Sequence, residues 1–151
     1  MKAAVVEGAG QLVVREVPLP VMGPYSALVR IEACSICNST DLKIIERHFV
    51  SQIPVPLILG HESVGTVVER GPKVRRYALG QRVLRPGAEY DLARVGIASA
   101  WGGFAQYGLV TDLAAWREDH PQGTPDRKRL SKPPLASGPL GTMTGSRAAA
   151  G

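Results

Sequence analysis

Turn residues cut the first 116 positions so often that no regular element can run long. Gly8-Ala9-Gly10 separates two apolar runs, Lys2–Glu7 and Leu12–Val17, in the pattern of a hairpin. Pro18, Pro20, Gly23 and Pro24 then break the chain before Ala27–Ala33, where Val29, Ile31 and Ala33 alternate with Arg30 and Glu32 as in a half-buried strand. Strand patterns return at Glu62–Arg70, Gln81–Leu84 and Phe104–Val110, punctuated by Gly60, Gly71-Pro72, Gly80 and Gly102-Gly103. Only Asp41–Arg47 reads as helix. Ser39 or Thr40 can cap it, Asp41 suits the positive end of its dipole, and Leu42 and Ile45 would share its buried face. So short a helix depends on packing for its stability. The expectation is a mainly β fold, an antiparallel barrel or sandwich, with one or two short helices.

Residues 117–151 differ. Pro121, Pro125, Pro133, Pro134 and Pro139 alternate with Gly123, Gly138, Gly141, Gly145 and Gly151, and apolar periodicity is lacking. That composition predicts an unstructured tail after a folded domain at 1–116. The same stretch carries six basic and three acidic side chains, more than half of the net charge of +5. The folded part is nearly balanced. Its one basic knot, Lys73, Arg75 and Arg76, has only Tyr77 near it to stack on a base, so it reads as a solvated loop and nucleic acid is not the expected partner.

Uncharged stretches are too short, or too rich in Pro and Gly, to span a membrane, and Glu7 interrupts any signal-peptide core. Two cysteines make no disulfide framework at this length. A soluble cytoplasmic protein is expected.

Chemistry concentrates in two places. Cys34 and Cys37 form a Cys-x-x-Cys pair between a strand and a helix start. They can be a redox pair, although no βαβ pattern follows, or an inert buried pair, or Cys37 alone can ligate a metal completed by histidine. A four-Cys zinc site fails for want of other cysteines. His61 and Glu62 lie beyond one loop, behind Gly60. Thiolate, imidazole and carboxylate together suit Zn²⁺. His48 and His120 are the alternative imidazoles.

Three blocks carry a resemblance: Glu32-Ala-Cys-Ser-Ile-Cys-Asn-Ser-Thr-Asp41; Gly60-His-Glu-x-x-Gly65 continuing through Gly71 and Val74 to Gly80-Gln-Arg-Val83; and Gly102-Gly-Phe-Ala-Gln-Tyr107. Together they resemble the N-terminal GroES-like catalytic domain of zinc-dependent medium-chain alcohol and polyol dehydrogenases. The resemblance implies a GroES-like small barrel, Cys37 and His61 as catalytic-zinc ligands, and Glu62 as a carboxylate that ligates or exchanges. It further implies a hydroxyl that relays the substrate proton, Ser39 or Thr40, since one extra residue before Asp41 leaves both open. Zinc would act as Lewis acid on a small alcohol or polyol, with hydride passing to NAD(P).

Departures from the family pattern bound that expectation. No cysteine lies between Val83 and Trp101, where many members hold a second, structural zinc. The third protein ligand of the catalytic zinc has no candidate. No strand–Gly-x-Gly-x-x-Gly–helix unit occurs, and Gly138-Pro-Leu-Gly141 with Gly145 has the wrong spacing for one. The expectation is therefore a truncated catalytic domain, inactive alone. The alternative is a non-catalytic GroES-like zinc-binding or interaction module. Substrate identity, NAD against NADP and oligomeric state are not legible.

Overall fold

The computed structural model describes residues 1–48, 54–90 and 92–125. Gly10, at φ 67°, turns the chain between strands β1 (Lys2–Gly8) and β2 (Gln11–Glu16), which pair antiparallel as the hairpin pattern predicts. The long strand β3 (Ser26–Ser35) leads to helix α1 (Thr40–Ile45). Then follow β4 (Leu57–Ile58), β5 (Glu62–Arg70), β6 (Arg82–Leu84), helix α2 (Leu92–Val95), β7 (Ala98–Ser99), β8 (Tyr107–Thr111) and helix α3 (Leu113–Asp119). The expected mainly β fold is what forms, with three short helices among the described residues rather than one or two.

The strands make two four-stranded sheets, ordered β2-β1-β4-β7 and β6-β5-β3-β8. Alternation drives the second sheet: Ala27 and Val29 of β3 bury against Val67, Val83 and Val110. Register shifts between Leu28 and Val29 and between Ile31 and Ala33 break that alternation. Ala33 is consequently exposed instead of sharing the buried side with Val29. Val6, Leu57, Leu59, Ala98 and Ala100 bury with Ile44 under the first sheet, which anchors α1. An isolated bridge between Ala3 and Ala105 stitches that sheet to the segment before β8.

Three sequence expectations change. Helix α1 does not bury Leu42, which is 41% exposed; its inner face is Asp41 and Ile44, one turn apart, because Asp41 is drawn in by the polar contacts described below. Ser39 occupies the cap position but its side chain makes no capping hydrogen bond. Regular structure also continues past residue 116: α3 runs to Asp119, capped by Asp112, whose carboxylate accepts from the Ala115 N–H at 2.9 Å. The remainder of the expected tail, 126–151, lies outside the described residues.

The arrangement that matters for chemistry is the β3–β5 ladder. Cys34 pairs with Ser63 and Ser35 with Glu62. Cys37 leaves the end of β3 just as His61 enters β5, so the antiparallel register brings two distant sequence blocks together. Among the described residues, no helix is long and apolar enough to cross a membrane.

Candidate metal centre

Cys37 sits in the turn between β3 and α1, where amide groups converge on it. The Thr40 N–H donates to its Sγ at 3.5 Å. Hydrogen bonds from the Thr40 N–H, the Thr40 hydroxyl and the Ser39 N–H pull the thiol below its ordinary range. Cys34 behaves oppositely, its thiol pushed up chiefly by burial. Both cysteines are free.

His61 is held by its surroundings. Gly60 has φ 99°, and a Cβ there would meet the Phe104 nitrogen at 2.6 Å and the Cys34 Sγ at 2.9 Å. Only glycine lets the chain pass this close, and its carbonyl then accepts from the Gly103 N–H at 2.8 Å. The imidazole lies against the Trp101 ring, centroids 5.0 Å apart at 53°. Its Nδ1 faces Asp41 Oδ1 at 3.5 Å and its Nε2 faces Glu62 Oε1 at 3.8 Å. Asp41 is fully buried, and its other oxygen accepts from the Cys37 N–H at 2.9 Å. This carboxylate therefore touches both the cysteine turn and the histidine.

Cys37, His61 and Glu62 each place one donor atom within 4.8 Å of the others. Ligand atoms around a tetrahedral zinc stand roughly 3.3–3.8 Å apart, given bonds of about 2.0–2.3 Å, so small rotations close the set. The fit has a second sign. Asp41 Oδ1 and His61 Nδ1 are both buried and both lack a hydrogen bond. A metal on Nε2 would fix the proton on Nδ1, facing Asp41, the usual support for a ligating histidine.

The structure thus brings together Cys37, His61 and Glu62. Ser39 and Thr40 lie two positions and one position before Asp41, with Thr40 engaged at the sulfur and Ser39 exposed. His48 pairs with Glu46 at 3.3 Å and His120 stacks on Trp116 at 4.7 Å, so neither joins the cluster. Two participants escaped the sequence reading. Asp41 read only as a carboxylate suited to a helix start, and Trp101 only as the bound of a cysteine-free segment; an acid at a predicted buried helix face was the available signal for the first.

The basic knot is an exposed loop, as expected, but its charges are paired. Arg75 meets Asp119 at 2.6 Å and Glu118 at 3.1 Å, Arg76 meets Glu118 and Asp112, and Lys73 lies 3.7 Å from Asp119.

Comparison with known proteins follows the same blocks. The family profile described as the alcohol dehydrogenase GroES-like domain matches residues 23–117. A protein of Mycobacterium tuberculosis described as a zinc-binding alcohol dehydrogenase is 41% identical over 85 residues, covering 56% of this chain and 21% of the relative. An alcohol dehydrogenase of Cupriavidus necator is 30% identical over 169 residues, covering 91% of this chain and 45% of its own. Among solved structures, a Sinorhizobium meliloti protein described as a zinc-binding dehydrogenase and bound to NADP superimposes with a TM-score of 0.57 at 35% identity, covering 73% of this chain and 36% of that one. The chain therefore spans less than half the length of each of these proteins. With the profile running from the turn before β3 into α3 and enclosing the whole Cys37–His61–Glu62 cluster, this chain belongs to the alcohol dehydrogenase GroES-like domain family.

Proposed function

We propose that this chain is the zinc-holding catalytic portion of an NAD(P)-linked dehydrogenase of small alcohols or polyols, with Cys37, His61 and Glu62 as the protein donors. The observation that carries the reading is the convergence of one sulfur, one imidazole nitrogen and one carboxylate oxygen within 4.8 Å at the junction of β3 and β5. When bound, zinc supplies Lewis acidity toward the substrate oxygen.

The chain's own residues do the rest. The amides of Ser39 and Thr40 and the Thr40 hydroxyl hold Cys37 toward its thiolate form. Asp41 orients the imidazole through Nδ1 and the cysteine turn through its N–H. Glu62, half-exposed at 48%, is free to move on and off the site as substrate enters. Because the Thr40 hydroxyl is committed to the sulfur, Ser39 is the better candidate to carry the substrate proton toward solvent.

These 151 residues contain no Gly-x-Gly-x-x-Gly fingerprint, so they are expected to turn over little NAD(P) by themselves. The test is NAD(P)-linked oxidation of secondary alcohols and polyols by residues 1–117 grafted in place of the matching segment of the Cupriavidus necator alcohol dehydrogenase. Turnover that falls at least about a thousandfold on Cys37→Ser supports the proposal. A folded, zinc-loaded graft without turnover would contradict it.

A further inference from the structure

A polar cavity of about 380 Å³ opens beside His61, between the start of β5, the segment after β6 and Trp101. Arg85, Glu89 and Trp101 share its wall with His61. Arg85 and Trp101 are two of the three non-glycine residues with left-handed backbone among the described residues, at φ 58° and 67°. Side chains with a Cβ rarely adopt that region, and Arg85 is further constrained by preceding Pro86. Ser63 grips it from both sides. The Arg85 N–H donates to the Ser63 carbonyl at 2.7 Å, and the Ser63 hydroxyl donates to the Pro86 carbonyl at 2.6 Å. Ser63 lies two positions after His61 on β5, so the strand that presents the imidazole also fixes Arg85.

Arg15, Arg75, Arg76 and Arg82 each meet a carboxylate, whereas Arg85 forms no ion pair among the described residues. A cation on left-handed backbone and a flat indole therefore bound one cavity together with His61, the one metal-centre donor among its lining residues, whose ring lies 5.0 Å from that of Trp101. A planar guanidinium matches a carboxylate with two parallel hydrogen bonds. Glu89 on the same wall opposes a dianion such as a phosphate monoester.

We propose that this cavity selects a hydroxy acid: the substrate's carboxylate pairs with Arg85 against Trp101 while its hydroxyl lies at Cys37, His61 and Glu62. The proposal rests on the metal-centre reading and narrows its substrate class. Arg85 is a specificity residue in this account and not a catalytic one.

The test uses the 151-residue chain loaded with zinc, titrated with 3-hydroxybutyrate and, separately, with 2-butanol, following the Trp101 indole N–H by NMR. Arg85→Asn removes the charge and tolerates left-handed backbone; Arg85→Lys keeps the charge without the fork. The expected result is a loss of about tenfold or more in 3-hydroxybutyrate affinity for Arg85→Asn. A smaller loss is expected for Arg85→Lys, with 2-butanol and zinc uptake unchanged in both. Equal 3-hydroxybutyrate affinity in wild type and Arg85→Asn, with zinc bound stoichiometrically, overturns this proposal and leaves the metal centre standing. Arg85-dependent 3-hydroxybutyrate binding in a chain that takes up no zinc supports the carboxylate pocket and removes the metal-centre reading instead.

Discussion

Asp41 Oδ1 and His61 Nδ1 face each other at 3.5 Å, both buried and neither hydrogen-bonded. A buried carboxylate oxygen and a buried ring nitrogen left unpaired are costly. A ligand that fixes the imidazole tautomer would convert the contact into a charge-assisted hydrogen bond. Asp41→Asn should therefore lower zinc affinity by about 10–100-fold, measured by competition with a chelating dye. Unaltered affinity would mean that Asp41 serves the fold alone.

The two cysteines should separate chemically in the metal-free protein. Thr40 and Ser39 stabilise the Cys37 thiolate, while burial holds Cys34 in its thiol form. Iodoacetamide at neutral pH should label Cys37 well before Cys34, and zinc should protect Cys37. Mass spectrometry of the modified peptides reads the order directly, and labelling led by Cys34 would refute it.

Acid should release α3. Arg75 and the Tyr25 hydroxyl hold the Asp119 carboxyl down at about 2, and Arg76 likewise lowers Glu118. Burial works against Asp112, yet the N–H groups of Ala115, Arg75 and Arg76 keep it lowered too. All three groups favour the charged form when folded. Their stabilisation is full above the ordinary carboxyl values of 3.8 and 4.5 and disappears as pH falls toward about 2. Trp116 fluorescence should report the loss across that window, at higher pH when salt screens the pairs. A signal flat down to the lower limit would contradict the account.

Gly87 lies under the backbone of Trp101, where a Cβ would come within 1.6 Å of the Trp101 carbonyl oxygen. No side-chain rotation relieves a backbone clash. Gly87→Ala should cost about 3 kcal/mol or more in denaturant unfolding, at the upper end for overpacking. A loss below about 1 kcal/mol would show that the two segments separate easily.

What the chain revealed before its structure depended on how local each signal was. The β1–β2 hairpin and β5 follow from turn residues and alternation, readable within short windows, whereas the grouping of Cys37 with His61 and Glu62 was one of several readings of those donors until the family-like blocks implied it. β4 and β7 did not emerge, because two-residue strands carry no period and exist only through their neighbours, β1 and each other. Leu42 and Asp41 exchanged places relative to expectation because hydropathy ranks a leucine inward, whereas two polar contacts across the β3–β5 junction decide the helix face. The pairing of the basic knot stayed hidden for a related reason. Its counter-charges, Glu118 and Asp119, lie past the boundary drawn at residue 117, over 40 positions away in sequence. Ion pairing at that separation is a property of the fold alone.

The central claim is that a thiolate and an imidazole from the adjoining ends of two paired strands hold one divalent ion. Titrating the metal-free chain with Co²⁺ tests it, because a thiolate-to-cobalt charge-transfer band reports sulfur ligation and d–d intensity reports tetrahedral geometry. The account predicts one equivalent bound, with the band lost in Cys37→Ser, weakened in His61→Ala and kept in Cys34→Ser. A band that persists without Cys37, or that needs Cys34 in its place, would contradict it.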